Sequence, residues 1–200
     1  MRNAFVDEIT NIAQKNKKII LLAGDIGYKL FDNFQKKYPS RFYNCGVAEA
    51  NMTTVAAGLA LKGFIPITYT IATFNVYKTL EQIKVDICYP NLGVIVVGVG
   101  AGLSYSDLGA THHATEDLGI LRSIPNLNIE SPADSYELKS LIPQLIKNKK
   151  PTYLRIGKRG EKNIYKSYPK VKIGKGKIIL KGRKVCIIAS GNIIVNAYAA

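Results

Sequence analysis

GVIVVGVG, residues 93–100, is a run of β-branched and small residues with no polar side chain on either face. A strand this apolar has no solvent side. It must lie in the middle of a sheet covered on both faces, which is the habit of parallel sheets. Working outward, KKIILLAGD (17–25) reads as a second buried strand, ending in Gly24-Asp25, and FIPITYT (64–70) as a third. FYNCG (42–46), LNIES (127–131) and PTYLRIG (151–157) read as shorter strands. Between them, residues 2–15 carry apolar side chains at 5, 6, 9, 12 and 13, a helical spacing. FDNFQKKYPSR (31–41) reads as a short helix stopped at Pro39, and AEANMTTVAAGLAL (48–61) as a tightly packed helix with Met52, Val55 and Leu59 on one side and Gly63 just past its end. FNVYKTLEQIKVDICY (74–89), LGILRSI (118–124) and DSYELKSLIPQLIKN (134–148) complete the helical set. This alternation predicts an α/β fold over residues 1–157, a doubly wound, mainly parallel sheet with helices on both faces.

Two further segments follow. Residues 158–183 read as a basic linker, and 184–200, KVCIIASGNIIVNAYAA, as a strand, a glycine turn and the opening of a helix. A lone βα pair cannot cover its own apolar face, so the expectation is the start of a further C-terminal α/β domain.

With 47% apolar and 21% charged residues, the composition is that of a globular protein and excludes disordered, collagenous and disulfide-scaffold classes. No leader with an apolar core opens the chain, and no apolar run reaches a membrane span; the stretch 92–103 is interrupted by glycines. Cys45, Cys88 and Cys186 are odd in number and scattered, which points to buried, reduced thiols and a cytoplasmic location. The formal charge of +14 is unevenly spread: residues 1–146 hold 13 Lys and Arg against 13 Asp and Glu, whereas residues 147–184 hold 15 against Glu161 alone. That tract carries no nucleic-acid-binding module, and its glycines and prolines give it the character of a solvated linker rather than a polyanion-binding arm.

Three features could carry chemistry. VGVGAG (97–102) has glycines after a strand but runs into a polar loop where a dinucleotide fingerprint needs a helix, and GKGK (174–177) lacks the phosphate-loop pattern. His112-His113, the only histidines, lie in a loop at the carboxyl end of a strand, where open α/β sheets place ligands. Adjacent histidines point apart, so they do not make a chelating pair. Glu49 sits among Gly, Val, Ala and Met; a carboxylate buried in such a helix needs a specific partner or a raised pKa, or else rests on the helix N-terminus.

The run NCGVAEANMTTVAAGLAL (44–61), followed by TYTIATF (68–74), resembles the pyrimidine-binding domain of the transketolase family. The landmarks keep the family's order: LLAGD (21–25), G-V-x-E (46–49), T-x-x-x-F (70–74), G-x-T-H-x-x-x-E (109–116) and PTYLR (151–155). The resemblance implies a thiamine-diphosphate-dependent enzyme in which Glu49 hydrogen-bonds N1′ of the aminopyrimidine. Phe74 and Tyr77 would wall the ring, with Ile71 where the family usually has a third aromatic, and Asp25 would lie near the thiazolium. His112 would contact substrate oxygens. Leu108 stands where transketolases carry the Asp that recognises a ketose hydroxyl, with Asp107 beside it; Lys158 stands where they carry a phosphate-binding arginine, with Arg159 beside it.

No Gly-Asp-Gly occurs, so the Mg²⁺- and diphosphate-binding half is expected on a partner chain, an N-terminal-section transketolase-like subunit. The resemblance thus implies the C-terminal-half subunit of a split transketolase, transferring a two-carbon ketol unit between sugars or sugar phosphates, inactive alone, and self-associating as a homodimer or heterotetramer. Beta subunits of 2-oxoacid dehydrogenases and deoxyxylulose-phosphate synthases share the same landmarks and remain alternatives, as does a non-catalytic scaffold subunit.

Overall fold

The computed structural model describes all 200 residues. Its core is a six-stranded, wholly parallel sheet in the order β2-β1-β3-β4-β6-β5. The strands are β1 (Ile19–Ala23), β2 (Phe42–Asn44), β3 (Ile65–Ile71), β4 (Ile95–Val99), β5 (Asn128–Glu130) and β6 (Thr152–Ile156). Helices α1 (Arg2–Lys15), α2 (Asp32–Lys37), α3 (Glu49–Leu61), α4 (Ala72–Val76), α5 (Leu80–Gln82), α6 (Asp117–Leu121), α7 (Ser135–Asn148) and α8 (Ile194–Ala199) alternate with them or follow.

The apolar run over 93–100 is indeed central: β4 is buried at every position, between β3 and β6. Alternate side chains of each strand feed two separate cores. Ile19, Leu21, Val97 and Leu154 pack with Phe5, Ile9, Phe34 and Leu138 under α1, α2 and α7. Ile20, Leu22, Val96 and Tyr153 pack with Met52, Ala56, Val76, Ile87 and Leu121 on the other face, under α3, α4 and α6. Because α2 leaves β1 toward one face and α4 leaves β3 toward the other, the carboxyl ends of these neighbouring strands are where an open α/β sheet places its ligands.

The helix expected over 74–89 is broken. Thr79 donates its hydroxyl to the Asn75 carbonyl at 2.7 Å, and Asn75 sends its amide across to the Val97 carbonyl at 2.9 Å. Such back-bonding competes with the helical ladder. α4 therefore stops at Val76, and Ile83–Cys88 continues as a wider π-helical turn in which the Tyr89 amide reaches the Lys84 carbonyl. On α3, Met52 is buried and Leu59 half-buried, but Val55 faces solvent, so the three do not share the core-facing side.

No strand forms over 184–189. A strand needs a ladder partner, and Val185, Ile187 and Ile188 have none and stay exposed. Cys186 is exposed and Cys45 half-buried, so of the three thiols only Cys88 has the buried setting expected of all.

Part of the basic tract is anchored to the body rather than loose. Asp134, fully buried, caps α7 through one oxygen, which accepts from the Tyr136 and Glu137 amides. Its other oxygen accepts from the Ile164 and Tyr165 amides, all at 2.9 Å. Glu161 pairs with the Met1 ammonium at 2.9 Å, and Gln144 donates to the Val171 carbonyl at 3.0 Å. No helix is long and apolar enough to cross a membrane.

Candidate functional site

Glu49 opens α3, and its side chain is 1% exposed. Its Oε2 accepts from Lys78 Nζ at 2.7 Å, so the buried carboxylate has found a specific partner. Its Oε1 is equally buried and has no hydrogen-bond partner. A Cβ built on Gly24, at the end of β1, would stand 3.0 Å from Thr70 Oγ1 and 3.6 Å from Glu49 Cγ. Thr70 Oγ1 is itself buried and unpartnered. Gly24 thus leaves space between the Thr70 hydroxyl and the Glu49 side chain, each of which carries an orphaned oxygen, and buried polar atoms without partners are uncommon enough to require an explanation.

From Glu49 a file of contacts crosses the carboxyl end of the sheet. Lys78 Nζ, half-exposed, lies 5.2 Å from the centroid of the Phe74 ring. Phe74 meets His112 edge-on with centroids 5.1 Å apart; His112 lies 5.5 Å from Tyr105, and Lys158 Nζ sits 4.0 Å above the Tyr105 ring. Of the residues singled out from the sequence, the fold brings Glu49, Phe74, His112 and Lys158 into this file.

The loop after β4 that carries His112 is fixed at several points. Gly100, at φ 74°, turns the chain over Tyr105, and Gly102 and Ala114 pair as an isolated antiparallel bridge. Thr73 Oγ1 donates to the Thr111 carbonyl at 3.0 Å, and Thr111 Oγ1 lies 2.9 Å from His112 Nδ1. Tyr77 donates its hydroxyl to Glu116 at 2.6 Å. Burial, followed by that bond to a carboxylate, pushes the Tyr77 phenol up to about 12, while the same bond holds Glu116 below its ordinary value.

Beneath the loop, Asp117 is fully buried. Its Oδ2 accepts from Tyr153 Oη and Arg155 Nε, both at 2.8 Å, and its Oδ1 from the Leu118 amide at 2.9 Å. Burial and the Asp117 charge raise the Tyr153 phenol well above its usual value. Arg155 Nη2 also donates to the Ala114 carbonyl at 3.3 Å.

The other sequence-predicted residues stand apart from this file. Asp25, at φ 52° and exposed, accepts from Asn44 Nδ2 at 3.0 Å. Ile71 is the last residue of β3 and is buried. Tyr77 is 39% exposed and points its hydroxyl at Glu116. Asp107 is exposed in a short turn over 106–108. No cluster of three His, Cys, Asp or Glu side chains that could hold a metal ion occurs.

Sequence reasoning missed Lys78, Thr73, Tyr105 and the Asp117–Arg155 pair. Lys78 carried a signal, since it lies four residues after Phe74, a spacing that shares a face on a helix. Tyr105, Asp117 and Arg155 carried none, because their contacts span the sheet.

The chain has clear relatives among known proteins. Residues 1–161 match the family model "Transketolase, pyrimidine binding domain". An apulose-4-phosphate transketolase subunit from Phocaeicola vulgatus is 34% identical over 201 residues, covering 100% of this chain and 64% of that protein. A 6-deoxy-6-sulfo-D-fructose transketolase subunit from a Clostridium species is 33% identical over 201 residues, covering 100% of this chain and 62% of its own length. The chain thus spans under two thirds of the curated relatives it matches. Among solved structures, a split-gene transketolase described as an inactive β4 tetramer superposes with a TM-score of 0.89 at 32% identity, over 99% of this chain and 64% of that one. Through its pyrimidine-binding domain, this chain belongs to the thiamine-diphosphate-dependent transketolase family.

Proposed function

We propose that this chain is the C-terminal-section subunit of a split transketolase-like transferase, and that it supplies the pyrimidine-binding half of an active site completed by a partner chain. The observation that carries the reading is Glu49, a buried carboxyl with one oxygen unpartnered at the carboxyl end of a parallel sheet. The residues fit the cofactor: Glu49 Oε1 would meet ring N1′ of an aminopyrimidine, and Gly24 leaves the ring room beside Thr70. Phe74 would wall the ring; the resemblance adds Tyr77 and Ile71 to that wall and Asp25 toward the thiazolium, although all three stand outside the file of contacts. Bound there, thiamine diphosphate supplies the carbanion-stabilising chemistry by which a ketose gives up a two-carbon ketol unit to an aldose.

The chain's own residues then bind and orient. Glu49 fixes the ring through a hydrogen bond at its N1′ edge. His112, held by Thr73 and Thr111, offers its imidazole to substrate oxygens. Lys158, with Asp107 across the loop, would select the sugar and its phosphate. Mg²⁺ and the diphosphate would be held by the partner. Relatives named as transketolase subunits and the tetrameric split-gene structure support both a partner chain and self-association.

The test is reconstitution. The chain, mixed with a polypeptide that carries Gly-Asp-Gly, Mg²⁺ and thiamine diphosphate, is expected to transfer ketol units from a ketose donor. Each chain alone is expected to be silent. Glu49→Gln should cut kcat about a hundredfold or more while leaving assembly intact. Ketol transfer by the purified chain alone would overturn the split-site reading. Turnover of a 2-oxoacid in place of a ketose would move the assignment to the dehydrogenase or synthase branch.

A further inference from the structure

The Lys78–Glu49 pair has no role in the site as described, and its position is unusual. Lys78 follows α4, yet its ammonium lies at once 2.7 Å from Glu49 Oε2 and 5.2 Å from the centre of the Phe74 ring. These are the two side chains that the proposed function gives to the aminopyrimidine: Glu49, whose other oxygen Oε1 is the one left for N1′, and Phe74 as the wall along the ring face that the ammonium now covers. An ammonium is attracted to both partners for physical reasons that require no cofactor, a charge-assisted hydrogen bond to the carboxylate and a cation–π contact with the ring. Glu49 is 1% exposed while Lys78 remains 48% exposed, so the lysine reaches inward from solvent to meet a carboxylate that cannot reach outward.

We infer that Lys78 is an internal stand-in for the aminopyrimidine, a latch that occupies the Glu49–Phe74 pocket in the unloaded chain and must swing out when the cofactor enters. This inference rests on the reading above that the pocket takes the pyrimidine. The latch gives the buried Glu49 carboxylate a counter-ion in the unloaded chain. A competitor inside the site also lowers apparent affinity in proportion to the time it spends there. A latch closed nine-tenths of the time weakens binding about tenfold. The chain thus gains stability when empty and binds cofactor less tightly, and the long, half-exposed side chain of Lys78 gives the latch a route out to solvent.

The experiment uses the full chain with thiamine diphosphate and Mg²⁺ as the probe, followed by ligand-observed NMR at millimolar concentration. Lys78→Met is expected to bind the probe about tenfold more tightly than the native chain and to melt at a lower temperature. A lysine with only a structural role would lower both affinity and stability. Lys78→Arg, which restores a cation, should return both properties toward native values.

A second readout needs no variant. Acetylation of Lys78, mapped by mass spectrometry, should be slow in the native chain, rise severalfold when the probe is added, and be fast in Glu49→Gln without the probe. If Lys78→Met fails to fold, this measurement decides alone. Unchanged or weaker binding by Lys78→Met, or Lys78 labelling that the probe does not move, overturns the latch while a loss of binding in Glu49→Gln still upholds the pocket. Binding by the double variant Glu49→Gln/Lys78→Met as tight as that of Lys78→Met alone overturns the pocket reading itself, and the latch with it.

Discussion

The hydroxyl of Thr73 is hydrogen-bonded to the carbonyl of Thr111 at 3.0 Å. Thr73 precedes Phe74 on α4, and Thr111 precedes His112 on the loop after β4. One bond therefore sets the distance between an aromatic wall and the only imidazole in contact with it. Thr73→Val keeps the shape and removes the bond, at a cost of about 1 kcal/mol in stability. In the reconstituted enzyme it is expected to lower kcat about tenfold through misplacement of His112, with cofactor affinity nearly unchanged. Equal losses in affinity and kcat would show that Thr73 supports the whole pocket and not the loop alone.

Asp117 and Arg155 form a buried ion pair at 2.8 Å, with side chains 0% and 14% exposed. Removing one partner of such a pair leaves an unpaired charge in the interior. Asp117→Ala is expected to cost about 3–5 kcal/mol in urea unfolding. The double replacement Asp117→Ala with Arg155→Met should cost less than the sum of the single ones. The coupling is measured by the double-mutant cycle, and strict additivity would mean that the two charges do not interact.

Gly98 on β4 faces the Tyr153 hydroxyl so closely that an added Cβ would collide with the phenol ring and its oxygen. Gly98→Ala should therefore destabilise by about 1–3 kcal/mol, since overpacking a filled core forces side chains off their rotamers. Tyr153→Phe in the same chain should recover only part of the loss, because the ring carbons still crowd the new methyl and Asp117 loses a donor. Thermal melts of the two variants and the native chain check the order.

Glu130 and Glu137, near the start of α7, both have carboxyls raised above their ordinary value of 4.5. Burial is the main cause, and neighbouring carboxylates add to it. Near and below pH 4.5 both the folded and unfolded chains hold these protons, and there is no penalty. As the pH rises the unfolded chain releases them first, so stability falls until the folded-state groups ionise, and the penalty is constant above that point. Glu130→Gln should raise Tm by about 2 °C at pH 7 and by nothing at pH 4. A gain of the same size at both values would assign the effect to packing.

Six strands were legible in the sequence, the longer ones as short apolar runs closed by Gly, Pro or polar residues, and β4 alone demanded cover on both faces. α1 was legible from its spacing, and Glu49 from the contrast between a carboxylate and its apolar neighbours. What escaped were features made by contacts across the fold. The helix over 74–89 is broken where Thr79 bonds back to the Asn75 carbonyl and Asn75 reaches the Val97 carbonyl on β4, a partner that helical periodicity cannot see. The apolar stretch over 184–189 has the composition of a strand but no neighbour to complete its ladder. Asp117, Tyr153 and Arg155 meet from α6 and β6, and nothing in their spacing foretells it. Lys78 lies within the helix expected over 74–89, yet its head lies on a carboxylate that is 1% exposed.

The basic tract has a consequence for self-pairing of the sheet. Each outer strand of an open sheet offers unpaired backbone groups on which another chain can template. β2 at one margin and β5 at the other are each only three residues long. At the β5 margin, Asp134 fastens residues 164 and 165 beside α7, and the segment beyond them shares a small cavity with Ile129 and Glu130 of β5, bringing Lys175 and Lys177 to that margin. A lysine-bearing strap at a bare strand acts as a gatekeeper against edge-to-edge aggregation. Shortening the chain to its sheet-bearing portion would strip that guard away, and the trimmed protein would be expected to precipitate long before its core came apart.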